Sequence, residues 1–335
     1  MDYKYQNLFV RYTRPADLQY TKYLLMKLNN LLKTLGIALF FLSGFQQLYA
    51  QQDPQYTQYM YNTVQINPAY AGSRGVMSIF GLYRTQWVGL DGAPKTANLS
   101  LNTPLGDSKL GLGVSFNNDQ IGAMDENNIA IDLSYTIDLS QRFKLSFGVK
   151  GTANLLNVDY TKLNIYNPND VQFQENIDNQ FSPNIGAGLY LHSDKTYFGF
   201  SVPNFLTTDR YEDNTVSTMK QKMNFYFIGG HVFDLSPSLK FKPAFLAKAV
   251  AGAPLQVDLT ANFLIVEKFT IGAAYRWDAS ISGLVGFQVT DGLFVGYTYD
   301  TDTTKLAHYN SGSHEIFMRF ELFNRFNRIT SPRFF

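Results

Sequence analysis

The chain has 335 residues, no cysteine, 28 Lys/Arg against 27 Asp/Glu, and a formal net charge of +1. The absence of cysteine excludes a disulfide framework, thiolate metal sites, a thiol nucleophile and lipidation on an N-terminal cysteine. Only 16% of residues are charged, 16% are aromatic and the mean hydropathy is −0.16, which excludes a helical membrane protein and suits a membrane barrel, whose apolar lipid face and polar lumen face average out.

Residues 26–33 form a short basic region, residues 35–45 an apolar run, and residues 48–50 end on the small residue Ala50 before polar Gln51. This pattern predicts a secretory signal peptide over 26–50, because the apolar run is shorter than the roughly 20 residues a spanning helix needs. Residues 1–25 then read as an upstream extension, with a true start at Met26. Residues 1–50 carry six Lys/Arg and two Asp, leaving 22 basic and 25 acidic residues beyond them. No basic stripe for nucleic acid remains.

Residues 51–75 hold Tyr56, Tyr59, Tyr61 and Tyr70 among Gln and Asn, with turns at Asp53-Pro54 and Asn67-Pro68. The segment is too aromatic for a free tail and too polar for a strand in lipid. It predicts either an N-terminal plug in the barrel mouth or a periplasmic contact surface. The width of a fourteen-stranded lumen argues for the plug.

From Val76 the apolar residues recur with a period of two. Ile129, Ile131, Leu133, Tyr135 and Ile137 oppose Ala130, Asp132, Ser134 and Thr136; Leu145, Phe147 and Val149 oppose Ser146, Gly148 and Lys150. Alternation of this length means strands with one apolar face. Fourteen segments follow the rule, centred on 76–86, 95–103, 109–117, 128–138, 143–155, 184–192, 195–203, 221–233, 239–250, 255–264, 268–277, 280–289, 292–300 and 313–323. The fold class is therefore all-β, a single transmembrane antiparallel β-barrel of about fourteen strands over 76–323. Tight turns at 106–108, 138–142, 193–194, 234–238, 266–267 and 290–292 alternate with the other connections, of which 156–183, 204–220 and 301–312 are long. Short turns facing the periplasm and long loops facing outside place both chain ends in the periplasm, including a C-terminal tail over 324–335 that carries Arg325, Arg328 and Arg333 among Phe326, Phe334 and Phe335.

A soluble sandwich shows similar alternation, but its exposed face carries charge. Here the polar face is rich in Gly, Ser, Asn and Thr. Phe116, Tyr275, Trp277, Tyr297 and Tyr299 at one set of strand ends, and Phe143 and Phe269 at the other, read as interfacial girdles in contact with outer-membrane lipid.

No catalytic grammar is present. His192, His231, His308 and His314 share no ligand spacing with a supporting acid. Residues 167–170 with Glu175 and Asp178 lack the regular acid spacing of a calcium loop. No G-x-S-x-G element occurs. The expectation is no enzyme, no cofactor and no metal. Asp132, Lys150, Lys248, Asp258, Arg276, Glu315, Arg319 and Glu321 fall on lumen faces, and their mixed signs predict ion pairing across the lumen, where a selective pore leans to one sign.

Several ordered motifs carry a resemblance. They are Asp53-Pro54-Gln55 with Gln58-Tyr59-Met60, Asn67-Pro68-Ala69-Tyr70-Ala71-Gly72, Arg84-Thr85-Gln86-Trp87, Gly92-Ala93-Pro94 leading to Thr103-Pro104-Leu105, and Ser331-Pro332-Arg333-Phe334-Phe335 at the end. In these residues the chain resembles the PorP/SprF family of outer-membrane proteins of the type IX secretion and gliding machinery. The resemblance implies an outer-membrane accessory that supports export or surface attachment of a large secreted protein such as an adhesin, with that client and the type IX secretion and motility components as partners. It singles out Asp53, Pro54, Gln58, Tyr59, Asn67, Pro68, Tyr70, Gly72, Arg84, Gln86, Trp87, Pro94 and Pro104 as plug or partner residues. The residues alone leave open a channel for small hydrophobic or polar solutes.

Overall fold

The computed structural model describes residues 56–106, 108–163, 176–206 and 222–322. The signal peptide over 26–50 and its upstream extension, Asp53 and Pro54, residues 167–170 with Glu175, and the tail over 324–335 lie outside the described residues.

The strands are β1 (Met77–Thr85), β2 (Lys95–Pro104), β3 (Leu110–Ile121), β4 (Met124–Asp138), β5 (Lys144–Val158), β6 (Ile177–His192), β7 (Thr196–Val202), β8 (Asn224–His231), β9 (Phe233–Ser236), β10 (Leu239–Val250), β11 (Gln256–Ile265), β12 (Phe269–Arg276), β13 (Ser280–Gln288), β14 (Leu293–Asp302) and β15 (Ser313–Leu322). β8 and β9 are two pieces of one stave, separated at Val232, and both pair with β10. β15 pairs with β1 and β10 with β11, so no edge is left. The result is a closed antiparallel barrel of fourteen staves, and closure removes the unpaired backbone groups that lipid does not tolerate.

The two faces of each stave differ as the alternation predicts. On β4, Ile131 is 53% exposed and Leu133 47%, whereas Asp132 is fully buried and Ser134 nearly so. Apolar out and polar in is the arrangement for a hydrocarbon surrounding. Phe116, Tyr275, Trp277, Tyr297, Tyr299 and Phe269 are exposed, and Phe143 is half-buried.

Two expectations about the wall need correction. First, β3 to β6 run past the ends of their apolar alternation. β3 continues to Ile121 and β4 begins at Met124, joined by a turn with Gly122 at φ 57°. The outward residues of this extension are polar: Asn118 Nδ2 donates to Asp125 Oδ1 at 2.8 Å and to Asn127 Oδ1 at 3.0 Å. The period-two apolar signal therefore marks the lipid band, and the hairpin continues beyond it. Second, the lumen face is not polar throughout. Phe80, Leu82, Ile228, Leu246, Leu284, Phe294 and Phe317 point inward and form one buried cluster with Tyr59, Met60, Tyr61, Val64, Ile66, Ala69, Tyr70 and Ala71.

Candidate functional site

The stretch before β1 lies among these inward side chains. Its two single-turn helices, Thr63–Gln65 and Pro68–Tyr70, are set locally. Asn67 caps the second by accepting the Ala69 N–H at 3.0 Å, and Pro68 supplies the fixed φ that the first helical position favours. Gly72 and Gly75, both at positive φ (71° and 76°), turn the chain into β1.

Each part of the stretch is bound to a different sector of the wall. At its start, Tyr56 donates its hydroxyl to Asn117 Oδ1 of β3 at 2.5 Å. Thr57 donates its N–H to Glu315 Oε2 (3.2 Å) and its hydroxyl to Asp300 Oδ2 (2.8 Å). Gln58 Nε2 donates to Thr298 Oγ1 at 2.8 Å. Tyr61 stacks on Phe294 with centroids 5.4 Å apart, and Lys242 and Arg319 approach its ring. Asn62 exchanges hydrogen bonds with Asn98 (2.7 Å) and Ser100 (2.8 Å). Further on, Val64 O accepts from Lys150 Nζ, Ile66 O from Ser201, and Ala71 O from Ser134. The stretch ends where Arg74 pairs with Glu321. Buried backbone carbonyls outside any sheet are thus satisfied by wall side chains.

The Asn67–Gly72 motif sits against wall glycines. A Cβ on Gly148 of β5 would lie 2.2 Å from Ala69 N, one on Gly188 of β6 2.2 Å from Asn67 Oδ1, and one on Gly111 of β3 2.2 Å from Ala71 O. Asn67 Nδ2 donates to the Leu189 carbonyl at 2.9 Å. Gly72 in turn packs on Pro104 and Gly111, so two of the motifs meet here. Backbone on backbone at this range requires residues without side chains on the wall.

The inward charges pair locally, within one stave, between adjacent staves or across one intervening stave, rather than across the lumen. Arg84 of β1 meets Asp300 Oδ2 at 2.6 Å and Glu315 Oε2 at 3.0 Å. Asp132 meets Lys150 at 3.0 Å, and Arg276 grips both oxygens of Asp258. Arg319 lies 3.7 Å from Glu321. Lys248 lies over the Tyr226 ring. Local pairing is the short-range solution, because facing walls are separated by the enclosed stretch.

The family model described as "Type IX secretion system membrane protein PorP/SprF" matches residues 48–320. The chain belongs to the PorP/SprF family. Membership associates this barrel with the type IX secretion system and fits an outer-membrane location. No curated protein matches the chain. Among solved structures, the CymD monoaromatic hydrocarbon channel is similar at 13% identity over 80% of this chain and 94% of that one, with a TM-score of 0.44. The NanC porin is similar at 10% identity over 73% of this chain and 100% of that one, with a TM-score of 0.40. A TodX monoaromatic hydrocarbon channel mutant is similar at 9% identity, 77% and 92% coverage and a TM-score of 0.43.

In this PorP/SprF chain the motif residues fall into separate groups. Gln58, Tyr59, Asn67, Pro68 and Tyr70 are buried in the lumen, with Arg84 beside Thr57 and Pro104 against Gly72. Gln86, Trp87 and Pro94 belong instead to the β1–β2 connection. There Gln86 N–H donates to Pro94 O (2.9 Å) and Trp87 N–H to Ser313 Oγ (3.2 Å). Sequence reasoning missed Thr57, Asn62 and Asp300 as members of the site. It also missed the wall glycines, whose signal was available: glycine recurs at inward positions of β3, β5, β6 and β7.

The four histidines are dispersed. His192 is buried near a turn, His231 Nδ1 shares a hydrogen bond with Thr196 Oγ1 (2.7 Å), His308 closes the helical turn Lys305–His308, and His314 Nδ1 shares one with the outward Tyr297 hydroxyl (2.6 Å). Among the described residues no three His, Cys, Asp or Glu gather as metal ligands. Two spaces flank the enclosed stretch. One, of about 80 Å³, is lined by Tyr56, Gln65, Asn117, Asp119 and Lys150. The other, of about 450 Å³, opens at the turn end beneath Gly72 and Arg74, beside Lys109, Asp138, Arg142 and Lys144.

Proposed function

We propose that this PorP/SprF barrel is a non-catalytic outer-membrane accessory of type IX secretion and gliding, which supports export or surface attachment of a large secreted protein such as an adhesin. Residues 56–75 act as a plug. The signal peptide over 26–50 is removed after Ala50, the turn end faces the periplasm and the secretion or motility apparatus, and the loop end faces the client. The observation that carries this reading is the occupied lumen: Tyr59, Tyr61 and Tyr70 are each no more than 3% exposed inside the wall. A diffusion channel keeps a continuous wet path, and an ion-selective one a lumen that leans to one sign of charge. Here the inward charges are engaged with one another and with the enclosed stretch.

Deleting the gene and comparing the cell-surface proteome with the parent strain tests the reading. The expected result is loss of one specific large surface protein while other type IX cargo still leaves the cell. Normal display of every surface protein, together with loss of uptake of a small solute, would instead favour the channel.

A further inference from the structure

Strand parity predicts that both ends of the chain lie on one side of the membrane. The enclosed stretch changes this count. Its two ends meet opposite ends of the wall. Tyr56 bonds Asn117 near the loop end of β3, and its carbonyl accepts from Arg276, the last residue of β12 before a loop-end connection. Thr57 bonds Asp300 and Glu315, which flank the β14–β15 loop. At the other end, Gly72 packs on Pro104 and Gly111, which flank the β2–β3 turn, and Arg74 pairs with Glu321 near the end of β15. The same strand, β3, is touched at both levels. Asn117 and Gly111 are six residues apart on it, about 20 Å along the strand at roughly 3.3 Å per residue. At a strand tilt of about 40° this is a rise of about 15 Å, more than half of the roughly 25 Å apolar band of an outer-membrane barrel.

We infer that the N-terminal stretch is a fifteenth crossing, made inside the wall, which brings the chain into the barrel from its loop mouth, so that the mature protein starts on the cell-surface side. The inference rests on the orientation and signal cleavage given under the proposed function. Leu322, by contrast, ends the wall at the turn mouth, opposite Met77. The two ends of the described barrel therefore face opposite compartments.

Because the chain has no cysteine, single cysteines report access without background. Three variants in living cells, treated with a membrane-impermeant maleimide, test the inference: Gln52→Cys, Tyr309→Cys in the β14–β15 loop, where Tyr309 is 71% exposed, and Arg142→Cys in the exposed β4–β5 turn. The expected result is labelling of Gln52→Cys and Tyr309→Cys on intact cells, and of Arg142→Cys only after the outer membrane is permeabilised. Gln52→Cys that behaves like Arg142→Cys, or that stays unlabelled until the protein is denatured, overturns the inference. If Tyr309→Cys and Arg142→Cys exchange behaviour, the orientation falls, while entry at the loop mouth stands only if Gln52→Cys still follows Tyr309→Cys. Gln55→Cys, adjacent to Tyr56, repeats the test should Gln52→Cys impair export.

Discussion

Arg84 holds two carboxylates, Asp300 and Glu315, and a threonine hydroxyl in a space where none of the four side chains meets bulk water. Removing one partner of a buried ionic cluster leaves the others uncompensated, which costs about 3–5 kcal/mol. Arg84→Met is therefore expected to lower the unfolding free energy of the detergent-solubilised protein by about 3 kcal/mol in a urea titration. Adding Glu315→Gln to Arg84→Met is expected to restore part of it, since one uncompensated charge disappears. A change below about 0.5 kcal/mol in the single variant would mean that the cluster does not anchor Thr57. Arg84 was legible in the sequence as a motif residue, and Glu315 as an inward acid. Their contact was not legible, because it depends on the closure of β15 onto β1, a pairing between residues 231 positions apart.

At the level of single elements, β5 provides an internal comparison. Gly148 faces the enclosed stretch, where a Cβ would fall 2.2 Å from Ala69 N, whereas a Cβ on Gly151 of the same strand meets nothing within 4 Å. Gly148→Leu is expected to displace residues 67–71 from the wall, read as rapid protease cleavage within 56–75 in the folded protein. Gly151→Leu is expected to leave that stretch as resistant as in the unmodified chain; equal cleavage of both variants would show that the glycine contact does not seat it. The β11–β12 turn offers a second test. Val266 and Glu267 both adopt positive φ (51° and 56°), a conformation suited to Asn-Gly and strained for a β-branched residue. Val266→Asn with Glu267→Gly removes strain of about 1–3 kcal/mol per residue. It loses only the exposed Lys240–Glu267 pair, which contributes little. The double variant is expected to unfold at a higher urea concentration than the unmodified chain; a lower midpoint would contradict the strain argument. The staves were legible because the lipid band imposes a strict period of two. The extra height of β3 to β6 was not, because outside lipid the outward face turns polar and the alternation ends while the pairing continues.

The wall and the enclosed stretch form one body. The sequence pattern specified closure and the number of staves, and closure follows from backbone satisfaction in lipid. It did not specify the path of residues 56–75, whose partners come from all round the wall, including Ile228 of β8 and Lys242 of β10. It also did not foresee Phe80, Phe294 and Phe317 as inward residues, because alternation alone treats an inward aromatic as an exception. Phe294 and Phe317 pack on Tyr61, and Phe80 on Phe317. Burying aromatic side chains at roughly 25 cal/mol per Å² contributes a few kcal/mol, which favours a filled lumen over a hydrated one. The central claim, that the barrel is sealed by its own chain and works as an accessory rather than a pore, is tested most directly by conductance in a planar lipid bilayer. The purified unmodified protein is expected to insert without producing steady ion current, and Gly148→Leu to produce it. A stable, ohmic current from the unmodified protein would contradict the account.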